Sequence, residues 1–416
     1  MTFPRGFLWG ASTASHQVEG GNCWNDWWPL EQSGRLPYKS GDACRQYELY
    51  EQDFDMARAW GHNAHRLSIE WSRIEPREGE WSVNAVEHYV RVIEALRARG
   101  IEPVVTLHHF TNPQWFAERG GWARRDSVKL FGRYVEYVAQ HLAPRVRFWV
   151  SVNEPTVYVK RAYVKGDWPP CKPGQRFEGA IVLFNMCRAH HVARRLLHAA
   201  RPDAMVGISH SAPYIEPCNP HSVLDRWAAF WRDFVLNRAV TRLALGWSGR
   251  GADFIGLNYY NRQIAKWRLR STAILVGEEC VEDHHGAPRQ FSALGWEIYP
   301  PGLARTLLRF GRYGLPLMIT ENGIATRDEA QRTAFVESHL RELAAAVSAG
   351  ANVLGYLYWT LMDNFEWTEG TAPCFGLAEV DFATQERRPR PAAAVLRAHF
   401  AGPSMLPGGA SPLADR

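Results

Sequence analysis

Leu317-Met318-Ile319-Thr320-Glu321-Asn322-Gly323 is an apolar run that ends in a carboxylate and is followed at once by Asn and Gly. Short apolar runs bounded in this way read as buried strands that stop at a backbone turn. Such a strand presents Glu321 at its mouth. Arg147-Phe148-Trp149-Val150-Ser151-Val152-Asn153-Glu154-Pro155 has the same form, and Pro155 forbids the strand from running on. Two strands that each end in an acid suggest paired-carboxylate chemistry, provided the fold brings both ends to one face.

The flanking segments predict that fold. Strand-like runs at residues 7–12, 64–69, 101–107, 205–209, 253–260 and 353–359 join the two acid-tipped ones, which makes eight. Helical patterns alternate with them. One covers residues 42–60 and is closed by Gly61. Another opens at Asn84, read as an N-cap with Glu87 three residues on, and turns Val86, Tyr89, Val90, Ile93 and Leu96 to one face before Gly100. Asp126 is read as the cap of a third, with Val128, Phe131, Val135, Val138 and Leu142 on its face. Further helices are expected at 178–200, 224–245, 301–313, 329–349 and 392–400. The polar segment 261–297 reads as a long loop or hairpin, and the Gly/Pro/Ser-rich residues 401–416 as a flexible tail.

Eight strands alternating with eight helices predict an α/β chain, one (β/α)8 barrel over residues 1–400. Such barrels run from about 250 to more than 400 residues, so a single catalytic domain absorbs most of a 416-residue chain. In this fold the C-terminal ends of the strands converge on one mouth. Glu154 at the end of the fourth strand and Glu321 at the end of the seventh would face each other across it.

Bulk composition removes several other classes. With 46% hydrophobic and 22% charged residues the chain is an ordinary globular one. A net charge of +5, with no basic block or base-reading motif, argues against nucleic-acid binding. Eighteen Trp are unusual; they fill cores, and they also suit stacking on sugar rings. The seven Cys, at 23, 44, 171, 187, 218, 280 and 374, form no CxxC pair, which argues against a disulfide scaffold or structural zinc. The pairs His108-His109, His190-His191 and His284-His285 point their side chains apart and lack completing ligands, so no metal or other cofactor is expected. The N-terminal residues lack a long apolar segment, and no run approaches the roughly 18 residues that span a bilayer. A reduced, soluble, cytoplasmic protein without a membrane partner is the expectation.

Cleaving a glycosidic bond takes a proton for the leaving oxygen and stabilisation of an oxocarbenium-like centre. Carboxyls about 5–5.5 Å apart do this with retention of configuration, and a gap of roughly 6.5–9.5 Å admits water and inverts it. Sequence leaves that gap open. Arg66, inside the second strand, must find a partner, because an unpaired buried charge is costly. A carboxylate beside it would stay ionised, since an opposite charge lowers an acid's pKa by about 1–3 units. A nearby carboxyl with no cation of its own would hold its proton.

From Phe3-Pro4-Arg5-Gly6-Phe7-Leu8-Trp9-Gly10 to about residue 400, the chain resembles glycoside hydrolase family 1, the retaining β-glucosidase and β-galactosidase family. Gln17-Val18-Glu19-Gly20, Asn153-Glu154-Pro155, Ile319-Thr320-Glu321-Asn322-Gly323 and Asp363-Asn364-Phe365-Glu366-Trp367 carry the resemblance in combination. It implies Glu154 as acid/base and Glu321 as nucleophile, paired with Arg66 and hydrogen-bonded by Tyr260. It further implies that Asn153 holds the sugar 2-hydroxyl, with Asn258 on the same floor. Gln17, His109, Glu366 and Trp367 would grip the hydroxyls at positions 3, 4 and 6, Trp359 would be the stacking platform, and Phe375 the far wall.

Two positions depart from the family pattern. Phe110, on the wall of the sugar pocket, and Thr156, on the leaving-group side, stand where many members have Trp. A carboxylate at Glu366 is expected to repel 6-phosphorylated sugars. The implied activity is retaining exo-hydrolysis of small-molecule O-linked β-glycosides or short oligosaccharides: β-glucosides first, then β-galactosides and β-fucosides. A transglycosylating member would share the same covalent intermediate. A non-catalytic sugar-binding barrel usually lacks one carboxylate, and both are present here.

Overall fold

A computed structural model describes residues 3–246, 248–268, 277–280 and 289–400. Eight parallel strands form a closed barrel: β1 (Leu8–Ser12), β2 (Ala64–Ser68), β3 (Glu102–Thr106), β4 (Phe148–Asn153), β5 (Met205–Ser211), β6 (Phe254–Asn258), β7 (Leu317–Asn322) and β8 (Val353–Trp359). Each pairs with its neighbour in the chain, and β8 closes on β1 from Leu8 opposite Gly355 to Ser12 opposite Trp359. The (β/α)8 barrel expected from the alternation is the fold.

Side-chain alternation along the strands divides the barrel interior by height. At one level Leu8, Ala64, Val104, Phe148, Val150, Phe254, Met318 and Leu357 pack together as an apolar plug. Two residues further along β2 and β3 the same inward face carries Arg66 and Thr106, whose Nε and Oγ1 lie 3.0 Å apart. The outward residues, among them Val105, Trp149 and Ile319, join the surrounding helices in the main core. The barrel is therefore dry at its base and polar at its mouth.

Both acid-tipped strands break the alternation just before the acid. In β4 the pairing with β5 slips between Val150 and Asn153, and in β7 the pairing with β6 slips between Ile319 and Glu321. A bulge of this kind re-aims the residues that follow it. On β4 it leaves Ser151 bonded outward to His190 and Val152 in the outer core, so that Asn153 turns inward. On β7 it sends Thr320 and Glu321 inward in succession, with Thr320 Oγ1 bonded to Asn258 and Ser209.

Two residues then lock the end of β7. Asn322 donates to the Tyr259 carbonyl and accepts from Tyr356 OH. Gly323 passes so close to β8 that a Cβ there would lie 1.9 Å from the Trp359 carbonyl oxygen. Gly323→Ala is expected to destabilise the fold by about 3 kcal/mol, the upper range for overpacking; an unchanged urea midpoint would contradict this.

Local expectations were met less evenly. Helix Val83–Ala98 is capped by Ser82, whose extended backbone lets Oγ accept from the Ala85 N–H, so Asn84 lies inside the first turn and caps nothing. Val92 is buried on its face and Val90 only partly. Asp126 precedes helix Ser127–Leu142 but does not cap it, because both of its oxygens are held by Arg124. The helical pattern at 224–245 is three pieces, α-helix Val223–Asp233, a π-turn Phe234–Ala239 and α-helix Val240–Leu245.

The segment after β6 is partly a hairpin, with Arg262–Lys266 antiparallel to Glu278–Glu279 and parallel to Tyr214–Pro217. Residues 269–276 and 281–288, including His284-His285, and the expected tail at 401–416 lie outside the described residues. The expectation of a reduced chain is corrected here: Cys218 and Cys280 form a disulfide. Each flanks the strand Arg262–Lys266, donating its N–H to Ala265 and Ile264 respectively, which brings residues 62 apart in sequence side by side. No spacing motif could have signalled that pair. Among the described residues no helix is long and apolar enough to cross a membrane.

Candidate active site

The C-terminal mouth of the barrel holds a cavity of about 300 Å³, at the small end of the range for ligand pockets. Each side chain in it is delivered by a strand end or the loop beyond. Gln17 comes from the turn of helix after β1, and His109 and Phe110 from the loop after β3. Glu154 follows β4, Tyr260 follows β6, Glu321 lies in β7, and Trp359 ends β8. Glu366, Trp367 and Phe375 come from the long loop after β8. Phe110, Glu154 and Trp367 all have positive φ, at 72°, 44° and 54°. Each such non-glycine conformation costs on the order of 1–2 kcal/mol and persists only where surrounding packing dictates it.

Arg66, Asn153 and Asn258 lie just beneath, and they tie the two carboxyls into one network. The fully buried Arg66 guanidinium donates from Nη1 to Glu321 Oε1 (2.5 Å) and the Thr320 carbonyl (3.2 Å), and from Nη2 to Asn153 Oδ1 (2.7 Å). Tyr260 OH donates to the other Glu321 oxygen at 2.7 Å. Asn258 Nδ2 donates to Glu154 Oε1 (2.9 Å) and to Asn153 Oδ1 (3.2 Å). Glu321 thus has a cation and a phenol, while Glu154 has one neutral amide. The buried Arg66 charge, which needed a partner, has it in Glu321.

Burial raises both acids, and the asymmetry of partners separates them. Glu154 is pushed up to about 8, by burial first and by the charge of Glu321 second. Burial also pushes Glu321 up, against the net lowering expected from its arginine; the Arg66 charge and then the Tyr260 hydrogen bond pull it back. Glu321 is therefore the member of the pair held as the anion. Glu366, which accepts from Trp359 Nε1 at 3.1 Å, is likewise pushed up to about 8 by burial.

The remaining walls present groups suited to hydroxyls. His109 is held neutral, well below its usual range, by burial and then by the Arg66 charge. Its Nε2 contacts Asn153 Nδ2 (3.3 Å), which leaves Nδ1 as the protonated nitrogen, buried and without a partner. Gln17 is anchored by Nε2 to the Phe365 carbonyl (2.8 Å), and its Oε1 has no partner. Trp359 and Phe375 are neighbours in one apolar cluster with Tyr260 and Trp296 packed against it, and His109 lies stacked 5.9 Å from Trp359. His108 is bonded to Asn112 and His190 to Ser151, and among the described residues no group of three or more His, Cys, Asp or Glu could hold a metal.

Sequence reasoning missed the outer wall. Val157, Arg161, Trp168, Leu294, Trp296, Thr368 and Glu369 also line the cavity. Leu294 and Trp296 belong to the segment read only as an irregular loop, and the excess of Trp was the one signal that could have pointed to them. Arg161, on the π-turn after Glu154, is bonded to Asp167 and Thr368 and lies over Trp168.

A barrel with this mouth has close counterparts. The β-glycosidase from Pyrococcus horikoshii is 41% identical, with a TM-score of 0.89 over 96% of this chain and 94% of that one. Beta-glucosidase A of Thermotoga maritima is 31% identical over 92% of this chain and 94% of its own length. A 6-phospho-beta-galactosidase from Lacticaseibacillus casei is 28% identical over 92% and 95%. The family model for Glycosyl hydrolase family 1 matches residues 1–241 and 248–399, all the barrel strands and every mouth residue described above included. The chain belongs to glycosyl hydrolase family 1.

Proposed function

We propose that the protein is a retaining exo-β-glycosidase that hydrolyses O-linked β-glucosides, and β-galactosides and β-fucosides more slowly. The observation that carries the reading is the unequal partnering of two buried acids in one pocket: Arg66 and Tyr260 on Glu321, Asn258 alone on Glu154. Glu321 Oε attacks the anomeric carbon while Glu154 gives its proton to the departing glycosidic oxygen, and the aglycone leaves as the neutral alcohol. Esterification removes the charge of Glu321, and with it one of the two influences that raised Glu154. Glu154, now a carboxylate, is then suited to take a proton from water as that water attacks the anomeric carbon and Glu321 is released. The sugar leaves as the β-anomer. Asn153, fixed by Arg66 and Asn258, would meet the 2-hydroxyl, and Gln17, His109, Glu366 and Trp367 the hydroxyls beyond, over Trp359.

A phosphorylated sugar fits this pocket less well. Of the cations described at this pocket, Arg66 is committed to Glu321 and Asn153, and Arg161 is paired with Asp167. Hydrolysis of a chromogenic β-glucoside, with the first-formed anomer followed by NMR, tests the reading. Release of the α-anomer first, or hydrolysis confined to 6-phosphoglycosides, would overturn it.

The pH profile follows from the same groups. Glu154 must enter the cycle protonated, so kcat/KM is expected to fall as pH rises through about 8. It also falls at low pH, as Glu321 gains a proton. Because Glu366 is raised to a similar value, the two acids must be told apart by mutation: Glu366→Gln should keep the alkaline limb and Glu154→Gln should lose it. The opposite pattern would assign the limb to Glu366.

A further inference from the structure

Trp168 is the one indole nitrogen among the described residues that is buried without a hydrogen-bond partner. Four other buried tryptophans satisfy theirs: Trp71 donates to Glu75, Trp122 to Asn112, Trp149 to the Val146 carbonyl and Trp359 to Glu366. A buried donor left unmade costs free energy, so each exception asks for a reason. Trp168 lines the active-site cavity at 5% exposure. Only two other polar atoms on that cavity wall are buried and unpartnered, Gln17 Oε1 and His109 Nδ1. Both belong to side chains that the proposed function gives to sugar hydroxyls. The orphan N–H of Trp168 has the same signature in the same cavity.

Its neighbours say what it compensates. The Trp168 ring lies 4.8 Å from Phe110 and 5.2 Å from Trp367, with the Arg161 guanidinium 4.9 Å over it. Phe110 offers no polar atom at a wall position where many members of the family carry Trp. We propose that the Trp168 indole N–H is a sugar-binding group, donating to a ring hydroxyl at the Phe110–Trp367 end of the pocket in place of the donor that Phe110 lacks. The inference rests on the glycosidase reading for the class of ligand. It differs from it in assigning substrate recognition to a residue outside the four motifs.

The test reads binding, so that it stands apart from turnover. Phenyl 1-thio-β-D-glucopyranoside and its 3-, 4- and 6-deoxy analogues are titrated into the wild type and Trp168→Phe by calorimetry. Trp168→Phe is expected to weaken the parent about tenfold, one neutral hydrogen bond's share. One deoxy analogue, already about tenfold weaker on the wild type, should lose nothing further. Equal weakening of all four ligands, or none, overturns the inference, because that is what a packing role or no role would give. If Trp168→Phe does not fold, 3-benzothienylalanine at position 168 keeps the ring and deletes only the N–H. A wild type that binds none of the four also overturns it. Turnover of a chromogenic β-glucoside by the same wild-type sample judges the glycosidase reading separately.

Discussion

Glu321→Gly is expected to lower kcat on an aryl β-glucoside by at least about 10⁴-fold, the scale on which enzymes lose their nucleophile. The barrel floor offers no substitute. The other oxygens around the Arg66 guanidinium belong to Asn153, Thr106 and the Thr320 carbonyl, none of them a carboxylate. In the proposed mechanism Glu154 protonates the leaving group, and Glu366 is bonded to the Trp359 indole. The variant also vacates the space beside the anomeric carbon while leaving Arg66 there as a buried cation. Added azide should occupy that space, attack from the face that Glu321 used, and restore turnover with an α-glycosyl azide as product. Retained activity without azide, or a β-azide, would remove Glu321 from the nucleophile's role. Cooperative thermal unfolding of the variant serves as the control for folding.

Glu154→Ala should behave differently, and the difference identifies a proton donor. With dinitrophenolate, which leaves without protonation, formation of the glycosyl-enzyme should be little changed. With cellobiose or an alkyl glucoside the loss should reach about 10²–10⁴-fold, the usual worth of general acid catalysis. Water attack on the intermediate also loses its base, so azide should accelerate the dinitrophenyl substrate and give the β-glycosyl azide. The alkaline limb of the pH profile should vanish with the carboxyl. Equal losses on good and poor leaving groups would mean that position 154 acts through structure alone.

Much of this was legible in the sequence because strand ends in a parallel barrel meet by topology. Once eight alternating units were counted, Glu154 and Glu321 had to share a mouth, and Arg66 inside a strand had to find a carboxylate. Features that depend on three-dimensional competition were not legible. Asn84 and Asp126 both suit a cap, but Ser82 had the extended backbone for one helix and Arg124 took the carboxylate of the other. The rise of the Glu366 carboxyl to about 8 comes from burial, which no motif records. Leu294, Trp296 and Trp168 reach the pocket through long-range packing, from segments whose local pattern was merely irregular or aromatic. The Cys218–Cys280 pair likewise exists only because a strand runs between its two halves.

The slipped pairings in β4 and β7 carry one more consequence. A strand counts its residues two by two, so the extra residue in each makes the position of the acid a matter of chain length as well as side-chain identity. Trimming a single outward-facing residue, Ser151 or Val152, would restore an even count. The apolar plug below would be untouched and Asn153 would stay inward, yet Asn153 and Glu154 would be drawn about 3.3 Å, one strand residue, toward that plug and out of step with Glu321 on β7. In evolutionary terms the proposed catalytic pair is guarded by a reading frame of the backbone: a one-residue indel just below the mouth would leave a barrel able to fold and unable to present its acid.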